Sequence, residues 1–150
     1  MKRYLVTLVV FLSVLGNFAF AKGDEIVNIK IRDAFRKEFS SAQQIHWEKI
    51  KNENIYEAQF IYNNERLCAF FDENGQLLVI SRSIAAASLP MLVTKKVNKQ
   101  YKDYKLQEVL EYVCEGNTSY VLVLEKDSVR VVIQAYPEGS VSIFKKEKIK

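Results

Sequence analysis

From Asn28 to Ala42 the chain reads NIKIRDAFRKEFSSA. Ile31, Ala34, Phe35 and Phe39 recur at helical spacing, with Glu38 the one polar member of that stripe. Arg32, Arg36 and Lys37 fall on the other side, so the pattern predicts an amphipathic helix of about three turns. The period then changes. QQIHWEKI alternates Ile45 and Trp47 against Gln44, His46 and Glu48, as a strand with one buried face does. IYEAQFIY alternates Tyr56, Ala58, Phe60 and Tyr62 against Ile55, Glu57, Gln59 and Ile61. Asn63-Asn64 is a two-residue hairpin signal, because Asn tolerates positive φ. It pairs Tyr62 with Glu65, Phe60 with Leu67, Ala58 with Ala69 and Tyr56 with Phe71. A slip of one residue would scatter that apolar face, so the register is self-consistent. FDENGQLLV closes the next hairpin, with Gly75 at the left-handed position, Leu77 beside Phe71 and Val79 beside Ala69.

The second half repeats the order. SIAAASLP leads to a second predicted helix, with Pro90 at its first helical position, where a missing N–H costs nothing. Leu89, Val93, Val97 and Tyr101 form its apolar stripe, and Lys95, Lys99 and Lys102 lie outside it. Four strand-like runs follow, and Gly139 in AYPEGSVSI takes the place that Gly75 takes in the first half. In KLQEVLEYVC, Val109 and Val113 point to one face, and Leu106, Leu110 and Tyr112 to the other. A bulge or burial on both faces would explain that split. The expected fold class is therefore α+β: a helix plus a four-stranded antiparallel sheet (αββββ), twice in tandem, with both helices on one sheet face. The expected boundaries are residues 22–88 and 89–150, together one compact domain, since a unit of about 60 residues is marginal alone, which favours the two halves sharing a continuous sheet or core.

Residues 1–21 read differently. Lys2 and Arg3 precede an apolar run from Tyr4 to Leu15, and Ala19 and Ala21 have Ala-x-Ala spacing. This is the pattern of a secretory signal peptide cleaved after Ala21, and the apolar run is shorter than a spanning helix needs. The expected location is the periplasm or the exterior. The formal net charge of +4 loses two positive charges with the leader, and no basic stripe or nucleic-acid module is present.

The chain has two cysteines, Cys68 and Cys114, too far apart for a Cys-x-x-Cys redox site. Export makes a Cys68–Cys114 disulfide chemically possible, and burial of each as a thiol equally so. His46 is the single histidine, and no Gly-x-Ser-x-Gly elbow, phosphate-cradling loop or clustered ligand set accompanies it. No catalytic residue, metal or cofactor is expected.

Several stretches resemble a known group: AFRKEFSSAQQIHW, YEAQF, FDENGQLL, LPMLVTKKVNKQY and KLQEVLEYV. With the leader, they resemble the exported PepSY-like proteins of Gram-negative bacteria, also called beta-lactamase-inhibitor-protein-like, over residues 27 to 145. The resemblance implies tandem α+β units in the cell envelope and carries no catalytic or contact residue across.

The same alternation defines an unusually apolar second sheet face, on which Ile55, Cys68, Phe70, Leu78, Ile80, Val132, Tyr136 and Phe144 are the candidate partner-binding residues. Polar residues such as Arg66, Glu57 and Arg130 intersperse it. The expected function is an exported, non-catalytic binding module that holds a protein or peptide partner, or a second copy of itself, on this helix-free face. The alternatives are an inhibitor or regulator of an envelope hydrolase, such as a protease or a beta-lactamase, and a self-associating structural protein of the envelope.

Overall fold

The computed structural model describes residues 26–50 and 53–149. The expected signal peptide and its cleavage point lie outside the described residues. The elements are helix α1 (Ile29–Glu38), strands β1 (Gln43–Lys49), β2 (Ile55–Tyr62), β3 (Glu65–Asp72) and β4 (Leu77–Ser83), a short 3-10 turn (Ala86–Ser88), helix α2 (Met91–Gln100), and strands β5 (Lys105–Cys114), β6 (Asn117–Lys126), β7 (Val129–Ala135) and β8 (Val141–Lys148).

The strands form one eight-stranded antiparallel sheet in sequence order, β1 to β8, and the described residues contain only two α-helices. This corrects the expected fold class. The protein is mostly β, and it is not two repeats of a helix with its own four-stranded sheet. The reason is physical: alternation tells which face of a strand is buried, but not whether its edge stays open. An open edge presents a row of unpaired N–H and C=O groups, and another strand satisfies them. By compactness the chain divides within β4, into a unit ending at Ile80 and a unit starting at Ser81.

In the first unit, Asn28 caps α1, its Oδ1 accepting from the Ile31 N–H at 3.1 Å. Ile31 and Phe35, four residues apart, turn the buried side of the helix onto the sheet. There an aromatic cluster forms. The Phe35 ring meets Phe60 edge-on at 4.8 Å and Trp47 at 5.3 Å, and Phe39 lies 4.7 Å from Phe60. Asn63 and Asn64 both adopt positive φ, and the β2–β3 register runs as predicted, from Tyr62 opposite Glu65 to Tyr56 opposite Phe71. Gly75 has φ +85, and a Cβ there would sit 2.9 Å from the Lys30 carbonyl oxygen, so both conformation and close approach require glycine.

The second unit has its own core, with Val93 and Val97 of α2 over Leu122, Leu124, Val131 and Ile133. Its strands are less regular. The β5–β6 register shifts between Leu106 and Glu108, which puts Leu106 and Val109 on the helix side and Leu110 and Tyr112 on the other. Both explanations of the mixed KLQEVLEYVC pattern hold at once: there is a bulge, and both faces are buried.

Candidate functional site

The residues opposite the helices follow from strand parity. In β2, Tyr56, Ala58, Phe60 and Tyr62 pack toward α1, so Ile55, Glu57, Gln59 and Ile61 point the other way. In β3, Leu67, Ala69 and Phe71 pack toward α1, which leaves Cys68 and Phe70 on the helix-free side. Ile55, Cys68 and Phe70 are all buried, Phe70 completely. Leu78 is half-buried.

In β4, Leu77 and Ile80 are half-buried and both pack against the aromatic cluster, while Val79 and Ser81 are buried. The β7–β8 register shifts between Val132 and Ile133 and leaves Phe144 as the extra residue of β8.

In the second unit, Val121, Val123 and Val132 are buried on the helix-free side with Leu110 and Tyr112. Tyr136, at the end of β7, is 38% exposed, and Phe144 is half-buried. Charged residues bound this apolar floor. The Arg130 guanidinium lies 2.7 Å from Glu125 and 3.7 Å from Glu147, and Lys145 lies 2.6 Å from Glu147. The Lys145 bond holds the Glu147 carboxyl below its usual range, with Arg130 adding to the effect.

One polar residue lies within the apolar floor of the first unit. Glu57 is only 6% exposed. It accepts from Gln59 Nε2 at 3.1 Å and from the Cys68 thiol, while Glu48 faces it on the next strand. Burial pushes the Glu57 carboxyl up, the bonds from Gln59 and Cys68 pull it back in part, and the Glu48 charge raises it again. The sequence marked Glu57 only as an interspersed polar residue. Its pairing with Glu48 was the available signal, since like charges directly opposite on two strands are unfavourable.

His46 pairs with Gln59 on this side, and Gln59 pairs with Cys68, so one residue stands between the histidine and the thiol. A nucleophilic thiol needs a positive neighbour, whereas Cys68 hydrogen-bonds a carboxylate. Both cysteines are thiols in this structure. Among the described residues, no group of three His, Cys, Asp or Glu side chains is placed to hold a metal ion. Asp72, beside the Gly75 turn, is committed to the backbone: its Oδ1 accepts from the N–H groups of Asn74 at 2.9 Å and Gln76 at 2.8 Å. No helix among the described residues is long and apolar enough to cross a membrane.

Comparison with protein-family models and with curated proteins finds no match. Solved structures do match. A candidate periplasmic protein of Bacteroides eggerthii superposes with a TM-score of 0.72 at 15% identity, covering 83% of this chain and 90% of its own. A DUF2874 family protein of Bacteroides uniformis gives 0.72 at 16% identity, with 82% and 90% covered. A BLIP-like protein of Bacteroides fragilis gives 0.69 at 20% identity, with 85% and 89% covered. The beta-lactamase-inhibitor-like half of the expected resemblance is thus supported, and the PepSY name is not. At these identities the likeness establishes architecture, and the chain has a BLIP-like fold.

Proposed function

We propose that this protein is an exported, non-catalytic binding module of the bacterial envelope that holds a protein or peptide partner through its helix-free sheet face. The observation that carries this reading is the character of that face. In each unit the helix packs on the other side of its strands, and the helix-free side brings Leu78 and Ile80 in the first unit and Phe144 in the second to half-exposure, with Tyr136 38% exposed, beside paired charges. Phe70 in the first unit and Val132 in the second are buried and support this surface from beneath, so a partner would meet Leu78, Ile80, Tyr136 and Phe144. The periplasmic and BLIP-like descriptions of the structural neighbours support the setting. They also favour a second reading, in which the partner is an envelope hydrolase and binding restrains it.

The test is site-specific photocrosslinking in the native envelope. A crosslinker at Tyr136 captures one discrete partner, and a crosslinker at Arg36, on the exposed side of α1, does not. Tyr136→Glu should abolish capture while leaving thermal unfolding unchanged. Equal capture from both positions would sink the proposal. For the second reading, the captured partner is a hydrolase and loses activity on adding the purified protein.

A further inference from the structure

Helix α2 turns Val93 and Val97 into the core, and its spacing puts Met91, Leu92, Lys95 and Lys99 together on the opposite side. Met91 is 84% exposed and Leu92 54%. Lys95, Lys96, Lys99 and Lys102 are all exposed, and no acidic residue occurs from Met91 to Lys102. Among the described residues none of these four lysines has an ion pair. By contrast, Arg82 meets Glu111, Arg130 meets Glu125, and Lys145 meets Glu147. Helix α1 differs too, since Asp33 interrupts its basic side.

Local stability does not explain this side of α2. Lys95 and Lys99 stand four apart, a spacing at which like charges weaken a helix. Met91 stands almost wholly in water beside them, and Leu92, which packs in part against Gly139, is still more than half exposed. Two acids close to α2 in the chain or through Leu92 have other partners: Asp103 faces Lys126 at 3.6 Å, and Glu138 accepts from Ser140 in the turn that sets Gly139 against Leu92. What matches unpaired cations on one helix side, with exposed apolar residues at its end, is an anionic interface with an apolar interior. A bilayer surface has that chemistry.

We propose that the outer side of α2 is a membrane-contact surface. Lys95, Lys96, Lys99 and Lys102 meet anionic lipid headgroups, and Met91 and Leu92 enter the headgroup–acyl boundary. The contact is peripheral and reversible, because a ten-residue helix with two inserted side chains buries little apolar area. It lies on the helix side of the sheet, so it leaves the helix-free face to a partner and does not depend on that face having one.

Vesicle cosedimentation of the full chain, purified from the envelope, tests this. Binding is expected to phosphatidylglycerol-containing vesicles at low salt, with about ten-fold weaker partition for Lys95→Glu/Lys99→Glu and for neutral phosphatidylcholine vesicles. High salt should release it. Met91→Ser/Leu92→Ser should weaken binding while keeping its salt dependence. All variants carry the same N-terminal segment, so that segment cannot produce the differences, and unchanged circular dichroism melts show that they are folded. Equal binding to neutral vesicles, or no effect of the charge reversal, overturns the proposal. Retention on immobilised polyglutamate without vesicle binding also overturns it, and assigns the lysines to an acidic polymer.

Discussion

Glu57 stands directly across the β1–β2 pair from Glu48, so two carboxylates face each other on neighbouring strands, and the Glu57 one is buried. The folded state therefore holds the Glu57 proton more tightly than the unfolded chain does. The associated stability is fully present below the unfolded value near 4.5, and it is lost as pH rises through the raised folded value. Glu57→Gln keeps a polar side chain and removes the charge. It should stabilise the protein at neutral pH, with the gain disappearing as pH falls below the unfolded value near 4.5. Urea midpoints at neutral and acid pH measure it, and a variant no more stable than wild type at neutral pH would contradict the assignment.

Asn28 has two tasks. Its Oδ1 caps α1, and its Nδ2 donates to the Glu73 carbonyl at 3.2 Å, in the turn after β3. Asn28→Ala should cost about 1–2 kcal/mol. Asn28→Asp keeps the cap and loses the donor, so it should fall between wild type and the alanine variant. An aspartate as costly as alanine would show that the cap contributes little.

Two glycines separate conformation from contact. Gly116 has φ +78 with nothing near a would-be Cβ, whereas Gly75 has φ +85 and meets the Lys30 oxygen at 2.9 Å. Gly116→Ala should lose about 1 kcal/mol, from backbone conformation alone. Gly75→Ala should lose clearly more, because α1 must also move. Equal losses by calorimetry would remove the contact from the explanation.

Phe35 is 2% exposed and touches four aromatic rings. Phe35→Ala should destabilise by about 3–5 kcal/mol. Phe35→Leu, which refills most of the space, should recover over half of that. Thermal melts of the two variants, compared by their shifts, decide the point.

How much of this could be read beforehand depended on the length over which one physical rule holds. Asn63-Asn64 fixes a turn, and the turn fixes every pair from Tyr62–Glu65 to Tyr56–Phe71, so that hairpin was legible residue by residue. The extra residue at Phe144 in β8 was not, because alternation carries no information about a bulge. The same blindness affected KLQEVLEYVC, until the shift near Gln107 reconciled Leu106 with Val109. The continuity of the sheet was legible only in part: the small size of each unit favoured a shared sheet or core, but which edges pair is decided by backbone groups, which every sequence supplies alike. On the candidate face, Cys68, Phe70 and Val132 were legible as apolar positions of the right parity. The weight of Glu57 was not, since a single glutamate in a strand reads as solvent-facing until its surroundings are known.

The irregularities at the two ends of the sheet have a consequence for crowding. β1 shifts register between Gln43 and His46, with Gln44 at φ +51, and β8 shifts beside Phe144 before ending in KKEK. An incoming strand would have to copy a broken ladder and, at β8, draw close to a row of lysines. At high local concentration this molecule resists growing into fibres by strand addition, so any lasting assembly it enters is built through a face and can stop at a defined size.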